Sequence, residues 1–275
     1  VYQPHRFVII NGDDFGFSHD VNQGIIQAHT QGVLTSTSLM VSGNAAPEAI
    51  ALARNHPSLA VGLHLVLVCG QSVLSPAQIP HLVDKNGNFP HSSLQAGLRY
   101  QFLPPARGEL RQEIRAQLEK FRASGLPLAH VDGHLHLHTH PVVLGILVEL
   151  AQEFQIRVIR LPYEELRFTL KLDQREFFTK LVWSAVFAGL RCYGERLLTS
   201  HGIKFAERVY GLLQTGRVFE DYLLGLIPQI QADLVEIYTH PTVVDEMELK
   251  ALVSERVRES LAVNGFELTN YVKYL

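Results

Sequence analysis

The sequence predicts an α/β protein built on a parallel sheet with helices packed outside it, and three observations carry this. Short β-branched or apolar runs alternate with helix-length segments over the first two-thirds of the 275 residues. Pro and Gly punctuate the junctions. Imidazole and carboxylate groups gather where the apolar runs stop, the usual place for chemistry in parallel α/β architectures. The alternation alone leaves the sheet either open or closed into a barrel.

The elements follow in order. "RFVII" (6–10) is a strand that stops at Asn11-Gly12. Ser18 or Asp20 can cap the helix "VNQGIIQAHTQG", with Ile25 and Ile26 facing inward and Gly32 ending it. "VLTSTSLMVSG" reads as a second strand, and "PEAIALARNHP" as a helix between Pro47 and Pro57. "LAVGLHLVLV" (59–68) is a third strand. Residues 69–107 break the rhythm with five prolines and three glycines, and read as a long loop or lid.

A helical stripe of Leu110, Ile114, Leu118 and Phe121 closes at Gly125. A histidine-rich strand, the helix "PVVLGILVELAQEF" and the strand "IRVIRLP" come next. Residues 163–230 are mostly helical, and "ADLVEIYTHP" (232–241) is the last strand. One helix built on "MELKALVSERVRESLAVNG" follows it. The expectation is one domain over 1–275 with a helical insertion before the final β-α unit.

Composition narrows the partners. A 47% apolar fraction and 19% charged residues fit a globular chain with a sizeable core. A net charge of −3 gives no basic footprint, so nucleic acid is not an expected partner. Cys69 and Cys192 form no CxxC pair and fit a reducing, cytoplasmic setting. The amino terminus has no signal-peptide pattern, and no apolar run reaches the roughly 18 residues of a membrane span. The longest, "LVWSAVFAGL" (181–190), reads as a buried helix segment.

Four strand ends carry reactive groups: Asp13 and Asp14 after the first, His64 in the third, the histidine run after the fourth, and His240 in "YTHP". Paired aspartates can divide labour, one binding a cation and the other orienting or deprotonating a water. They can also simply cap a helix. His64, amid "VGLHLVL", suits either a neutral core histidine or a metal ligand.

"HVDGHLHLHTHP" (130–141) holds five histidines where the chain's own frequency gives roughly 0.6, which points first to metal. In an extended strand His130, Asp132, His134, His136, His138 and His140 would share one face. They would then span about 30 Å, so one metal can take only one or two of them.

These landmarks ("NGDDFGFS", "LTSTSLMV", "GLHLVL", "HVDGHLHLH" and "EIYTHP") resemble, in order, those of the YdjC-like carbohydrate deacetylases. The resemblance implies an irregular (β/α) barrel of the glycoside hydrolase/deacetylase type. It also implies hydrolysis of an N-acetyl group on an amino sugar, with one divalent cation. By position, the metal ligands would be Asp14, His64 and His134. Asp13 would be the water-activating base and His240 the acid for the leaving amine. His130 and Asp132 would support His134, and the later histidines would line the mouth.

Zn, Mg, Mn, Co and Ni all suit such mixed ligation. "VLVCGQSVLSPAQIPHLVDKNGNFP" and "HTHP" look most like the hopanoid-biosynthesis branch, whose substrate is an N-acetylglucosaminyl hopanoid lipid. The chitooligosaccharide branch shares the same catalytic landmarks. A lipid substrate suggests peripheral membrane contact at the inner face, around Trp183 and Phe187 with Arg191, Arg196 and Lys204. A homodimer stays open.

Rival readings are a metal-dependent phosphoesterase or amidohydrolase, a non-haem iron oxygenase, and a non-catalytic lipid-binding or metal-storage module. The first usually shows an H-x-H pair at strand one, where this chain has Asp-Asp. The second sits on a different scaffold. The third leaves Asp13 idle.

Overall fold

The computed structural model describes residues 6–274. Seven strands form one parallel sheet: β1 (Arg6–Phe15), β2 (Ser36–Leu39), β3 (Ala60–Leu65), β4 (Val131–Gly133), β5 (Arg208–Tyr210), β6 (Leu234–Thr239) and β7 (Phe266–Leu268). The order is β4-β3-β2-β1-β6-β5, with β7 beside the start of β1. β1 changes neighbour along its length: Arg6 to Val8 pair with β7, whereas Asn11 to Phe15 pair with β2. Strands β2, β3 and β6 are buried at every position, although β2 is Ser-Thr-Ser-Leu and β3 and β6 carry His64 and Glu236 into the interior.

The sheet curls into a half-barrel, and irregular pairing carries the curl further round. The run 156–161, read from sequence as a strand, makes only single parallel bridges, Val131 to Ile159 and Val158 to Lys204. Tyr163 then bridges antiparallel to Val209 of β5. The result is an irregular (β/α) barrel whose weakest pairing lies at residues 158–163.

The helices are α1 (His19–Gln31), α2 (Ala46–Asn55), α3 (Ser93–Phe102), α4 (Pro104–Ala123), α5 (Pro141–Phe154), α6 (Leu166–Leu172), α7 (Phe177–Ser200), α8 (Glu220–Leu226), α9 (Glu246–Val253), α10 (Glu255–Val263) and α11 (Tyr271–Tyr274). Ser18 caps α1 by accepting from the Val21 amide, and Ile25 and Ala28 are fully buried against the core. Truncating Ile25 to Ala should cost about 2–5 kcal/mol, as for other filled core positions.

Three segments differ from the sequence reading. The stretch 69–107 contains α3 and the start of α4; the Ser92 hydroxyl caps α3, and the sequence's Pro-Pro pair opens α4. The segment 163–230 holds α6, α7 and α8, but also β5, a member of the sheet. The final helix is two helices: Ser254 adopts extended backbone and its hydroxyl caps α10. No helix among the described residues is long and apolar enough to cross a membrane.

Candidate active site

Strict alternation would send Asp13 and Asp14 to opposite faces of β1. The strand avoids this by a register shift between Gly12 and Phe15 and a left-handed backbone at Asp14 (φ 66°). Such a conformation is costly for a non-glycine residue and persists only where the surroundings enforce it. Both carboxylates thereby enter one site at the carboxyl ends of the strands.

Asp14, His64 and His134 meet there, their ligand atoms all within 4.8 Å of one another. Asp14 Oδ1 lies 3.2 Å from His64 Nε2 and 3.0 Å from His134 Nδ1. Ligands about 2.0–2.2 Å from a tetrahedral cation stand roughly 3.3–3.6 Å apart, so the separations from Asp14 suit donors to one divalent ion. The donor chemistry also fits: His64 Nδ1 donates to Asp132 Oδ1 at 2.8 Å, which leaves Nε2 directed at Asp14.

Burial works against charge on His64, yet the Asp132 and Asp14 carboxylates outweigh it and push its pKa up to about 10. Burial likewise opposes charge on Asp14, but hydrogen bonds from His134 and His64 hold its carboxyl well below the usual range.

Asp13 is buried, and its neighbour is a residue the sequence reading passed over. Arg160, fully buried, grips both Asp13 oxygens at 2.7 and 2.8 Å. It also reaches Asp132 Oδ2 at 2.8 Å and Glu236 Oε1 at 2.6 Å, and lies over the Tyr238 ring. Asn11 Nδ2 adds a 2.7 Å bond to Asp13, and the Tyr271 hydroxyl donates to Glu236. Three buried carboxylates thus share one guanidinium, a local negative excess that suits a nearby cation. The only sequence signal was a cation inside the apolar run "IRVIRLP".

The histidine run divides its labour differently from its uniform spacing. Only Val131–Gly133 is strand; a 3-10 turn follows, with Leu135 and His136 in left-handed backbone. This turn, and not one extended face, distributes the imidazoles. Asp132 supports His64 and not His134, while the Ser38 hydroxyl donates to Asp132 at 2.6 Å. His130 packs so closely on β3 that a Cβ on Gly62 would sit 2.4 Å from its ring.

His136 bonds the Tyr238 hydroxyl at 2.8 Å, and burial holds it neutral. His138 does not line the mouth: it is fully buried, donates from Nε2 to the Arg160 carbonyl, and burial lowers its pKa to about 4. His140 packs beside Tyr100 and has its pKa lowered by burial.

A cavity of about 360 Å³ opens over the site. Asp13, His64, His134 and His240 line it, so the structure brings four of the five expected site residues to one cavity, with Asp14 3.2 Å from His64. Trp183 and Phe187 of α7, and Leu213, Gln214 and Thr215, also line it. Of the residues expected on a membrane-facing surface, Phe187 and Arg191 are instead buried, Arg191 bonding the Leu161 and Ala206 carbonyls.

The YdjC-like protein family matches residues 7–266. A protein of Brevibacillus brevis named carbohydrate deacetylase is 34% identical over 271 residues, covering 96% of this chain and 94% of the relative. A Geobacillus stearothermophilus protein of the same name is 42% identical over 154 residues, covering 56% and 59% of the two chains. A crystal structure from Enterococcus faecalis V583, provisionally described as a cellobiose-phosphate cleavage protein, superposes with a TM-score of 0.75 at 25% identity over 98% of this chain and 99% of that one. The matched span takes in Asp13, Asp14, His64, His134, Arg160 and His240, and the chain belongs to the YdjC-like family.

Proposed function

We propose that this chain, acting as a single domain over 1–275, is a metal-dependent carbohydrate deacetylase that hydrolyses the N-acetyl group of an N-acetylglucosamine-containing substrate. The observation that carries the reading is one cavity holding a three-donor cation site beside a buried, Arg-oriented carboxylate and a histidine at its wall. The names of the relatives point to the same chemistry.

Asp14, His64 and His134 would hold one divalent cation, Zn, Mg, Mn, Co or Ni. When bound, it supplies Lewis acidity toward the acetyl carbonyl. Asp13, fixed by Arg160 and Asn11, accepts the proton of the attacking water. The water oxygen bonds to the acetyl carbon, and collapse of the tetrahedral intermediate breaks the C–N bond. The amine is a poor leaving group, and His240 gives it a proton as it departs. The products are acetate and a free amino sugar.

The loop match at 66–90 and the apolar α7 wall favour a lipid-linked substrate, an N-acetylglucosaminyl hopanoid, over a chitooligosaccharide. Acetate release from that glycolipid and from diacetylchitobiose, with each metal and with chelator, tests the reading. Metal-restored turnover of the glycolipid is the expected result. No acetate from either substrate with any metal would overturn the function, and turnover of diacetylchitobiose alone would reassign the substrate.

A further inference from the structure

Two helices at the cavity present large apolar side chains to solvent. On α7, Phe177, Phe178, Leu181, Val182, Trp183 and Val186 are between 44 and 78% exposed. On α3, Leu94, Leu98 and Phe102 are 71, 51 and 74% exposed, at the four-residue spacing that defines one helix face. Both helices reach the cavity wall, α3 through Ser93 and α7 through Trp183. Residues 177–190 contain no acid, and their one cation, Lys180, is buried. A solvent-facing helix ordinarily carries charge there, and a large exposed apolar patch marks a contact surface.

The charges around the patch have one dominant sign. Between 91 and 108 the only Asp, Glu, Lys or Arg residues are Arg99 and Arg107. Between 166 and 176, Arg167, Lys171 and Arg175 outnumber Asp173 and Glu176. Both of those acids are already ion-paired, to Arg175 at 2.8 Å and Arg217 at 3.1 Å. The chain as a whole is negative, so this local cationic excess is set against its average.

We propose that the α3 and α7 faces dock the cavity mouth onto an anionic lipid bilayer, from which the enzyme draws its lipid-linked amino sugar. The inference rests on the lipid-linked reading above. Apolar side chains that include a Trp, ringed by cations, match the requirements of an interfacial helix on an anionic leaflet. A protein partner covering both faces would close over Ser93 and Trp183, and so over the catalytic cavity. A leaflet that carries the substrate presents no such conflict.

Co-sedimentation of the full chain with phosphatidylcholine vesicles, with and without about one-third phosphatidylglycerol, tests the surface. Binding to the anionic vesicles is expected. The variants F178S/V182S and L94S/F102S change residues outside the cavity lining. Each should cut that binding roughly tenfold while leaving deacetylation of a soluble N-acetylglucosaminide unchanged, which also reports that they fold.

No vesicle binding by the wild type, or equal binding by both variants, would overturn the docking surface. So would light scattering that shows a wild-type dimer dissolved by either variant, since the faces would then join two copies. Turnover of micellar glycolipid without vesicle binding overturns the docking and spares the lipid substrate. Vesicle binding without glycolipid turnover supports the surface and removes the substrate reading.

Discussion

Arg160 and Asp13 form a buried bidentate pair, with both carboxylate oxygens held at 2.7 and 2.8 Å by one guanidinium. Because Arg160 also serves Asp132 and Glu236, its loss leaves three carboxylates without their shared countercharge. Arg160→Met should therefore destabilise the fold by about 3–5 kcal/mol, read by denaturant unfolding. Arg160→Lys keeps a charge but loses the fork. It should fold and lose roughly 10²-fold in kcat as Asp13 drifts. Wild-type kcat in Arg160→Lys would show that Asp13 needs no such grip.

The assigned roles separate under substitution. Asp13→Asn should keep metal binding by calorimetry and lose about 10³-fold in acetate release. His134→Ala should lose both. Intact turnover in Asp13→Asn would remove it as the base.

A raised His64 makes metal binding compete with a proton. Its folded pKa of about 10 lies above the ordinary value of 6.5. At pH 7 the metal-free site should therefore hold a proton that an incoming cation displaces. Calorimetry in two buffers of different ionisation enthalpy should find about one proton released per metal bound. For the metal-free fold the sign is fixed. His64 contributes stability that is fully present below 6.5 and lost as pH rises toward 10, so Tm should fall over that window. A Tm that rises there would contradict the shift.

His138 acts in the opposite sense. Burial lowers its pKa to about 4, so between 4 and 6.5 the unfolded chain binds a proton that the folded chain refuses. Stability should rise with pH across that interval, by on the order of 1–3 kcal/mol. His138→Asn should flatten the slope measured by urea unfolding.

Glu164 anchors one stretch of the cavity lining. Its carboxylate accepts from the Gly211 and Leu213 amides, holding the turn that presents Leu213, Gln214 and Thr215 to the cavity. Burial raises its pKa to about 7. An acid raised in the folded state loses stability as pH climbs from 4.5 through 7. Glu164→Gln should remove that loss and raise KM several-fold more than it lowers kcat, measured on the soluble substrate. Unchanged KM would free the turn from this anchor.

Much of the site was legible because its parts lie at strand ends, where local pattern marks both the strand and its stop. Asp13, Asp14, His64 and His240 were readable in this way. Arg160 was not: its partners Asp13 and Glu236 lie 147 and 76 residues away, and nothing local sets it apart from Arg157 in the same apolar run. The turn at Leu135 and His136 was hidden for another reason. Left-handed backbone is normally announced by Gly or Asn, and here tertiary packing imposes it on other residues. α3 lay concealed in a Pro- and Gly-rich stretch, and the break at Ser254 carries neither residue.

The thin pairing at 158–163 has a consequence for how the barrel coheres. Where backbone ladders are sparse, Arg160 reaches across the lumen to Asp13 on β1, Asp132 on β4 and Glu236 on β6. One side chain is thus the strut that ties three staves together and the grip on the proposed base, Asp13. Mutations that tune the reaction through this position will also loosen the cask, so its chemistry and its mechanical closure can only change together.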